Sequence, residues 1–116
     1  MSLSRGDVVL ISFPFTDLTS VKVRPALVLS DKGYNTGGED VIVSLVTSSI
    51  VRPSLFSFRI DLAHPDFPKS GFKVPSAIIA DKIHTLHHSL IKRRLGFVSA
   101  STVKQVQDMV RHILFN

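Results

Sequence analysis

Short apolar runs, separated by polar stretches rich in glycine and proline, set the rhythm of most of this chain. Val8-Val9-Leu10-Ile11 follows Gly6-Asp7 and predicts a strand. Pro14, between Phe13 and Phe15, should end or bulge it, because proline has no N–H for a ladder. Residues 16–23 are polar and charged and predict a loop; residues 25–29 predict a second buried strand with Pro25 at its entry. Residues 32–38 hold three glycines and an asparagine and predict a turn-rich loop. Residues 41–46 predict a third strand, closing at Thr47-Ser48-Ser49. Residues 54–61 alternate apolar and polar, the pattern of a half-buried strand. Residues 62–73 predict a loop, and residues 74–83, with Ala77-Ile78-Ile79-Ala80, a further strand. Residues 90–98 fit either a strand bearing Lys92, Arg93 and Arg94 or a short helix with a turn at Gly96. Val103, Val106, Met109, Val110, Ile113 and Leu114 recur at spacings of three and four and predict an amphipathic helix. Ser99, Ser101 and Thr102 are candidate N-caps, and Thr102 with Gln105 fits a capping box.

The tally is five or six short strands followed by one helix, without βαβ alternation. That order predicts an α+β, mainly β fold: a small antiparallel, barrel-like sheet with a C-terminal helix. A length of 116 residues suits a single domain over 1–116. The absence of cysteine excludes disulfides, thiolate metal sites and a cysteine nucleophile. The N-terminus lacks a signal-peptide pattern, and no apolar run approaches the ~20 residues of a membrane span. A soluble, cytoplasmic protein with no membrane association is therefore expected.

Charge sharpens the functional reading. The net charge is +5, and residues 51–96 carry eight basic against three acidic side chains while the remainder balances at six each. A localised excess favours a polyanionic partner. The simpler alternative is a solvated basic face.

Arg5-Gly6-Asp7-Val8-Val9-Leu10, Phe13-Pro14-Phe15-Thr16-Asp17 and Arg24-Pro25-Ala26-Leu27-Val28-Leu29 occur in that order near the start of the chain. The strand ending in Thr47-Ser48 follows, then Pro75-Ser76, Asp81-Lys82-Ile83-His84-Thr85-Leu86 and Leu95-Gly96. This ordered set resembles the MazF/PemK toxins of type II toxin–antitoxin systems. The resemblance implies an SH3-like β-barrel, shared with the gyrase poison CcdB, and a homodimer. It implies sequence-specific, metal-independent cleavage of single-stranded RNA, and a separate antitoxin chain as partner. It also implies a cutting pair of Arg24 and Thr47.

The chemistry of that pair is sound on its own terms. When a 2′-hydroxyl attacks the adjacent phosphate, negative charge builds on phosphorus, and a planar guanidinium meets phosphate oxygens in a bidentate way. A threonine hydroxyl can donate to the same group. Some family members carry a glutamate just before the arginine, whereas residues 19–23 here contain no carboxylate. His84 is the first candidate for moving a proton, since histidine titrates near neutrality. Phe15, Lys22, Ser48, Arg52, Lys73, Lys82 and Arg94 are candidates for binding RNA, with Tyr34 and Phe72 as further loop-adjacent aromatics. Phe13, Phe56, Phe58 and Phe97 read as core. His84, His87 and His88 could suggest a metal, since two histidines at i and i+4 chelate if helical, but the stretch reads as a strand end with no third ligand evident, so no metal and no cofactor are expected. A gyrase poison on the same fold, or a non-catalytic nucleic-acid-binding barrel, are the alternative functions.

Overall fold

The structure is a computed structural model that describes residues 2–14, 21–49 and 55–116. In chain order the elements are β1 (Asp7–Pro14), β2 (Val21–Val28), α1 (Lys32–Gly37), β3 (Asp40–Thr47), β4 (Ser57–Ile60), α2 (Phe67–Ser70), β5 (Ser76–His87), β6 (Ile91–Phe97) and α3 (Ala100–Phe115). The ambiguous 90–98 segment is a strand, entered through a single 3-10 turn, His88–Leu90. Two predicted loops hold short helices. Asp31 accepts a hydrogen bond from the Tyr34 amide and starts α1. Pro68 lies in the first turn of α2, where no N–H is required, and Gly71 ends that helix in the left-handed region. β2 begins at Val21, so Lys22 and Val23 belong to a strand rather than to the expected loop over 16–23, and Arg24 lies within that strand.

The six strands form one antiparallel sheet in the order β4-β5-β3-β2-β1-β6. The expected class, mainly β with a terminal helix, is what forms; the sheet is open, with β4 and β6 as its two edges. Successive side chains of each strand enter different cores. Val9, Ile11, Ala26, Val28, Val41, Val43, Leu86 and Ile91 pack with Leu3 on one face. Val8, Leu27, Val46, Ile60, Ile78 and Ala80 pack with Phe72, Val98 and Val106 on the other. The sheet is thus buried on both sides, which is why its central strands read as continuous apolar runs instead of alternating.

Helix α3 covers the second core with Val103, Val106, Met109, Val110 and Ile113. Its N-cap is Ser99, whose Oγ accepts from the Thr102 amide; Thr102 is buried in the first turn and caps nothing. Instead, the Thr102 hydroxyl donates to Oδ2 of Asp66 at 2.5 Å. The Ser99 amide and hydroxyl donate to the same oxygen at 3.1 and 3.0 Å. The Lys69 ammonium lies 3.5 Å from Oδ1. Asp66 is only 1% exposed. A carboxylate at the amino end of α3 also meets the positive end of the helix dipole.

Burial alone would raise the pKa of Asp66, but the hydrogen bonds from Thr102, from the Ser99 amide and hydroxyl and from Lys69 outweigh it and hold the carboxyl below its usual range. A depressed folded-state pKa gives stability that is fully present above the unfolded value, near ~4, and is lost as pH falls through the folded value. Asp66→Ala is expected to lower the unfolding free energy by about 2–4 kcal/mol in urea titrations at pH 7. Asp66→Asn should lower it by less and flatten the loss of stability below about pH 4. An acid limb unchanged by Asp66→Asn would remove this carboxylate as the source.

Candidate functional site

The β2–β3 ladder is paired at Val28–Val43, Leu27–Ser44 and Ala26–Leu45, and goes no further. Proline has no N–H to give, so a ladder that ends just before Pro25 follows from the sequence. Continuing the same register by two residues sets Arg24 opposite Thr47. The end of the pairing opens a cleft of about 710 Å³, and Arg24, Pro25, Val46, Thr47, Ser48 and Ser49 line it. Thr47 is half-buried, and its Oγ1 accepts from the Ser49 amide at 3.1 Å. That bond uses a lone pair and leaves the hydroxyl proton to donate outward.

The opposite wall comes from Gly71, Phe72, Lys73, Val74 and Ser76, and from Arg93 and Leu95 of β6. Ser76 Oγ donates to the Val74 carbonyl at 2.9 Å and braces this segment. Gly71 and Gly96 let the wall close against β6. A Cβ on Gly71, whose φ is 82°, would lie 2.4 Å from the Leu95 carbonyl oxygen. A Cβ on Gly96 would lie 2.2 Å from the Lys69 carbonyl oxygen. Asp66 pins the start of this same segment to α3.

Among the described residues, Lys22, Arg24, Lys73 and Arg93 line the cleft and no aspartate or glutamate does. Four cations with hydroxyls between them and no carboxylate make a site for a polyanion. Outside the cleft, Arg94, Lys69, Arg59 and Lys104 lie against the carboxylates of Asp7, Asp66, Asp61 and Asp108 respectively.

Of the residues singled out from sequence, the structure brings Arg24, Thr47, Lys22, Ser48 and Lys73 together in the cleft. Phe15 and Arg52 lie outside the described residues. His84 pairs with Val43 in the β3–β5 ladder, four residues before Thr47 on β3 and so about 13 Å along the strand, and it is not part of the cleft. Lys82 is exposed on β5 away from the cleft. Arg94 faces away from the cleft and pairs with Asp7. Its neighbour Arg93 is the cleft residue that the sequence reading passed over. Phe72, expected as a stacking ring, is 8% exposed and belongs to the core; Phe97, expected in the core, is 44% exposed. Among the described residues no cluster of three or more His, Asp or Glu side chains gathers as a metal-ligand set.

A two-sided antiparallel sheet with a terminal helix and a cationic cleft defines a small protein built to hold a polyanion. Residues 4–114 match the family of PemK-like, MazF-like toxins of type II toxin–antitoxin systems, and the chain belongs to that family. It is 26% identical to Endoribonuclease MazF of Staphylococcus saprophyticus, over 93% of this chain and 88% of that protein. Its fold is similar to that of MazF from Deinococcus radiodurans, with a TM-score of 0.78 at 22% identity over 98% of this chain and 97% of that one. It is also similar to a mycobacterial endoribonuclease solved with its cognate antitoxin, with a TM-score of 0.75 at 20% identity over 97% and 94% of the two chains.

The glycine contacts make the wall sensitive to one methyl group. Gly96→Ala should lower stability by about 1–3 kcal/mol, because backbone rather than a flexible side chain must yield. Thermal unfolding of the variant measures the loss; an unchanged midpoint would show that the α2–β6 approach tolerates the extra carbon.

Proposed function

We propose that the chain is the toxin of a type II toxin–antitoxin pair, an endoribonuclease that cuts single-stranded RNA in the cleft between Arg24, Thr47, Lys73 and Arg93. The observation that carries this reading is the cleft itself: four cations, no carboxylate among the described lining residues, and an Arg24–Thr47 pair where the β2–β3 ladder ends. In the cut, the 2′-oxygen forms a bond to phosphorus and the bond from phosphorus to the 5′-oxygen breaks. The 2′-hydroxyl loses a proton to water or hydroxide, the departing 5′-oxygen gains one, and a cyclic phosphate remains. Arg24 meets the charge that builds on the phosphoryl oxygens. Thr47 donates to the same oxygens, its other side fixed by the Ser49 amide. Lys22, Lys73, Arg93 and Ser48 hold the strand on either side. We assign His84, Lys82 and any metal no role in the cut.

The partner antitoxin would enter the same cleft with an acidic, extended segment that orders on binding. Its support is the charge of the cleft together with the two relatives solved as complexes with an antitoxin or with MazE. A homodimer suits the exposed Leu114 and Phe115 at the end of α3. No described helix is long and apolar enough to cross a membrane, and an RNA-cutting toxin of this kind would act in the cytoplasm.

Incubating the protein with a mixed-sequence single-stranded RNA and a chelator tests the reading. Discrete cuts are expected, with Arg24→Ala slower by about 10³-fold or more and Thr47→Ala by about 10²-fold. Arg93→Ala should weaken binding and reduce the slope of log affinity against log salt by about 0.7. Intact RNA beside a stalled gyrase would replace this reading with the gyrase poison, and binding without cuts would leave a binding module.

Arginine, lysine, serine and threonine do not change charge near neutrality. The cutting rate should therefore climb steadily between about pH 6 and pH 8, with no bell. A bell centred near neutrality would bring a histidine, His84 first, back into the reaction.

A further inference from the structure

Phe97 closes β6 with its ring 44% exposed. Two cations approach that ring from different elements. The Arg94 guanidinium carbon lies 5.6 Å from the ring centroid and the Lys69 ammonium 6.0 Å. Both separations are near the outer limit of a cation–π contact, so neither cation seals the ring. Each cation is tethered from within. Arg94 Nε lies 3.1 Å from Asp7 Oδ1, and Lys69 Nζ 3.5 Å from Asp66 Oδ1. The two carboxylates are nearly buried while both cations are partly exposed, so solvent meets the cations and the ring, not the acids.

This surface lies across the β6 edge from the cleft, on the opposite face of the same strand. Lys69 stands two residues before Gly71, a cleft residue, and Leu95 of the cleft wall stands two residues before Phe97. Gly96 seals the seam between them, packed against the Lys69 carbonyl and Ser70. Among the described residues β6 is an edge strand, and no further strand pairs with this end of it. From Arg93 in the cleft to Phe97 is about 10 Å along the strand, since one of the residues between them is a bulge, a reach of a few nucleotides.

We propose that Phe97, flanked by Arg94 and Lys69, is an auxiliary subsite that stacks a base of single-stranded RNA a few nucleotides from the bond being cut. This rests on the reading of the cleft as an RNA-cutting site and extends it. An exposed ring with cations beside it is the arrangement that holds single strands without reading sequence: the base stacks and the cations meet the flanking phosphates. The subsite adds affinity for a longer RNA and leaves the choice of the cut bond to the cleft. Tyr34 supplies the contrast. It is 46% exposed, yet its recess is lined by Glu39 and Asp40 and would repel a phosphate backbone.

The test uses the full chain and a cut site mapped on a mixed-sequence RNA. Two RNAs are made around that site, one long and one trimmed to the nucleotides flanking the scissile bond. The wild type should show a higher kcat/KM on the long RNA, and Phe97→Ala should remove most of that advantage, a loss of roughly tenfold. Phe97→Trp, which keeps a stacking ring, should retain it, and Tyr34→Ala should behave as wild type on both RNAs. A second readout needs no cutting. In a long RNA with a 2′-deoxy sugar at the scissile position, 2-aminopurine placed in turn at each flanking nucleotide should be quenched on binding at one position, by wild type and not by Phe97→Ala. Equal losses for Phe97→Ala on long and short RNA, an unchanged advantage for the long one, or quenching that survives the substitution would overturn the subsite while leaving the ribonuclease reading intact. A wild type that neither binds nor cuts RNA would overturn both.

Discussion

One carboxylate oxygen, Oδ2 of Asp66, receives the Thr102 hydroxyl, the Ser99 hydroxyl and the Ser99 amide, and the geometry of the cleft wall follows from that meeting. Asp66 leads into α2, and α2 leads through Gly71 into the wall residues Phe72 and Lys73. Ser99 starts α3, whose apolar side covers the second core. The interaction therefore fixes the helix and the wall to each other at one point. It also orients Lys69 from inside, and Lys69 with Ser70 forms the surface against which Gly96 closes. An apolar contact at this place would bury comparable area without fixing a direction. A charged acceptor with three donors admits few arrangements, because any donor pulled away is left in a nearly dry site.

The sheet and the last helix were legible because their residues obey simple periods. Apolar runs at 8–11, 25–29 and 41–46 mark the first half of β1, the last half of β2 and the centre of β3, and the spacing from Val103 to Leu114 is α3. The Arg24–Thr47 pair was legible only through family likeness; its geometry comes from a ladder ending at Pro25, a consequence of register that composition does not reveal. The short helices were not visible, since α1 and α2 hold six and four residues and depend on a cap and a proline rather than on a period. The cap at Ser99 was among the candidates, but the Thr102–Gln105 box was displaced by a long-range demand, Asp66, which takes the Thr102 hydroxyl.

Charge was legible in sum and not in place. The basic excess of residues 51–96 splits in the structure. Arg59, Lys69 and Arg94 lie against aspartates, while Lys73 and Arg93 line the cleft. Lys22 and Arg24, from outside that segment, complete the cleft's charge. Positive potential concentrates where the described lining gathers bases from two separate parts of the chain. Asp7 and Asp66 are turned inward, where they hold cations in position without cancelling the field that an approaching anion meets.

The exchange of roles between Phe72 and Phe97, and between Arg93 and Arg94, has a common root in β6. Its pairing with β1 runs Asp7–Phe97 and Val8–Gly96, then shifts to Val9–Arg94 and Leu10–Arg93, and shifts again to Ile11–Ile91. Leu95 and Lys92 are thus extra residues on this strand, two bulges within seven positions. Strict alternation would put Arg93, Leu95 and Phe97 on one face, which is the reading that buries Phe97. The bulge at Leu95 moves everything beyond it to the opposite parity. Phe97 then shares a face with Arg94 and Asp7, while Arg93 and Leu95 remain at the cleft. Bulges also blunt an edge strand against pairing with another chain, and β6 is an edge with three consecutive cations. The same irregularity protects the edge and sorts its side chains, sending one arginine into the cleft and its neighbour, with a phenylalanine, to the rim.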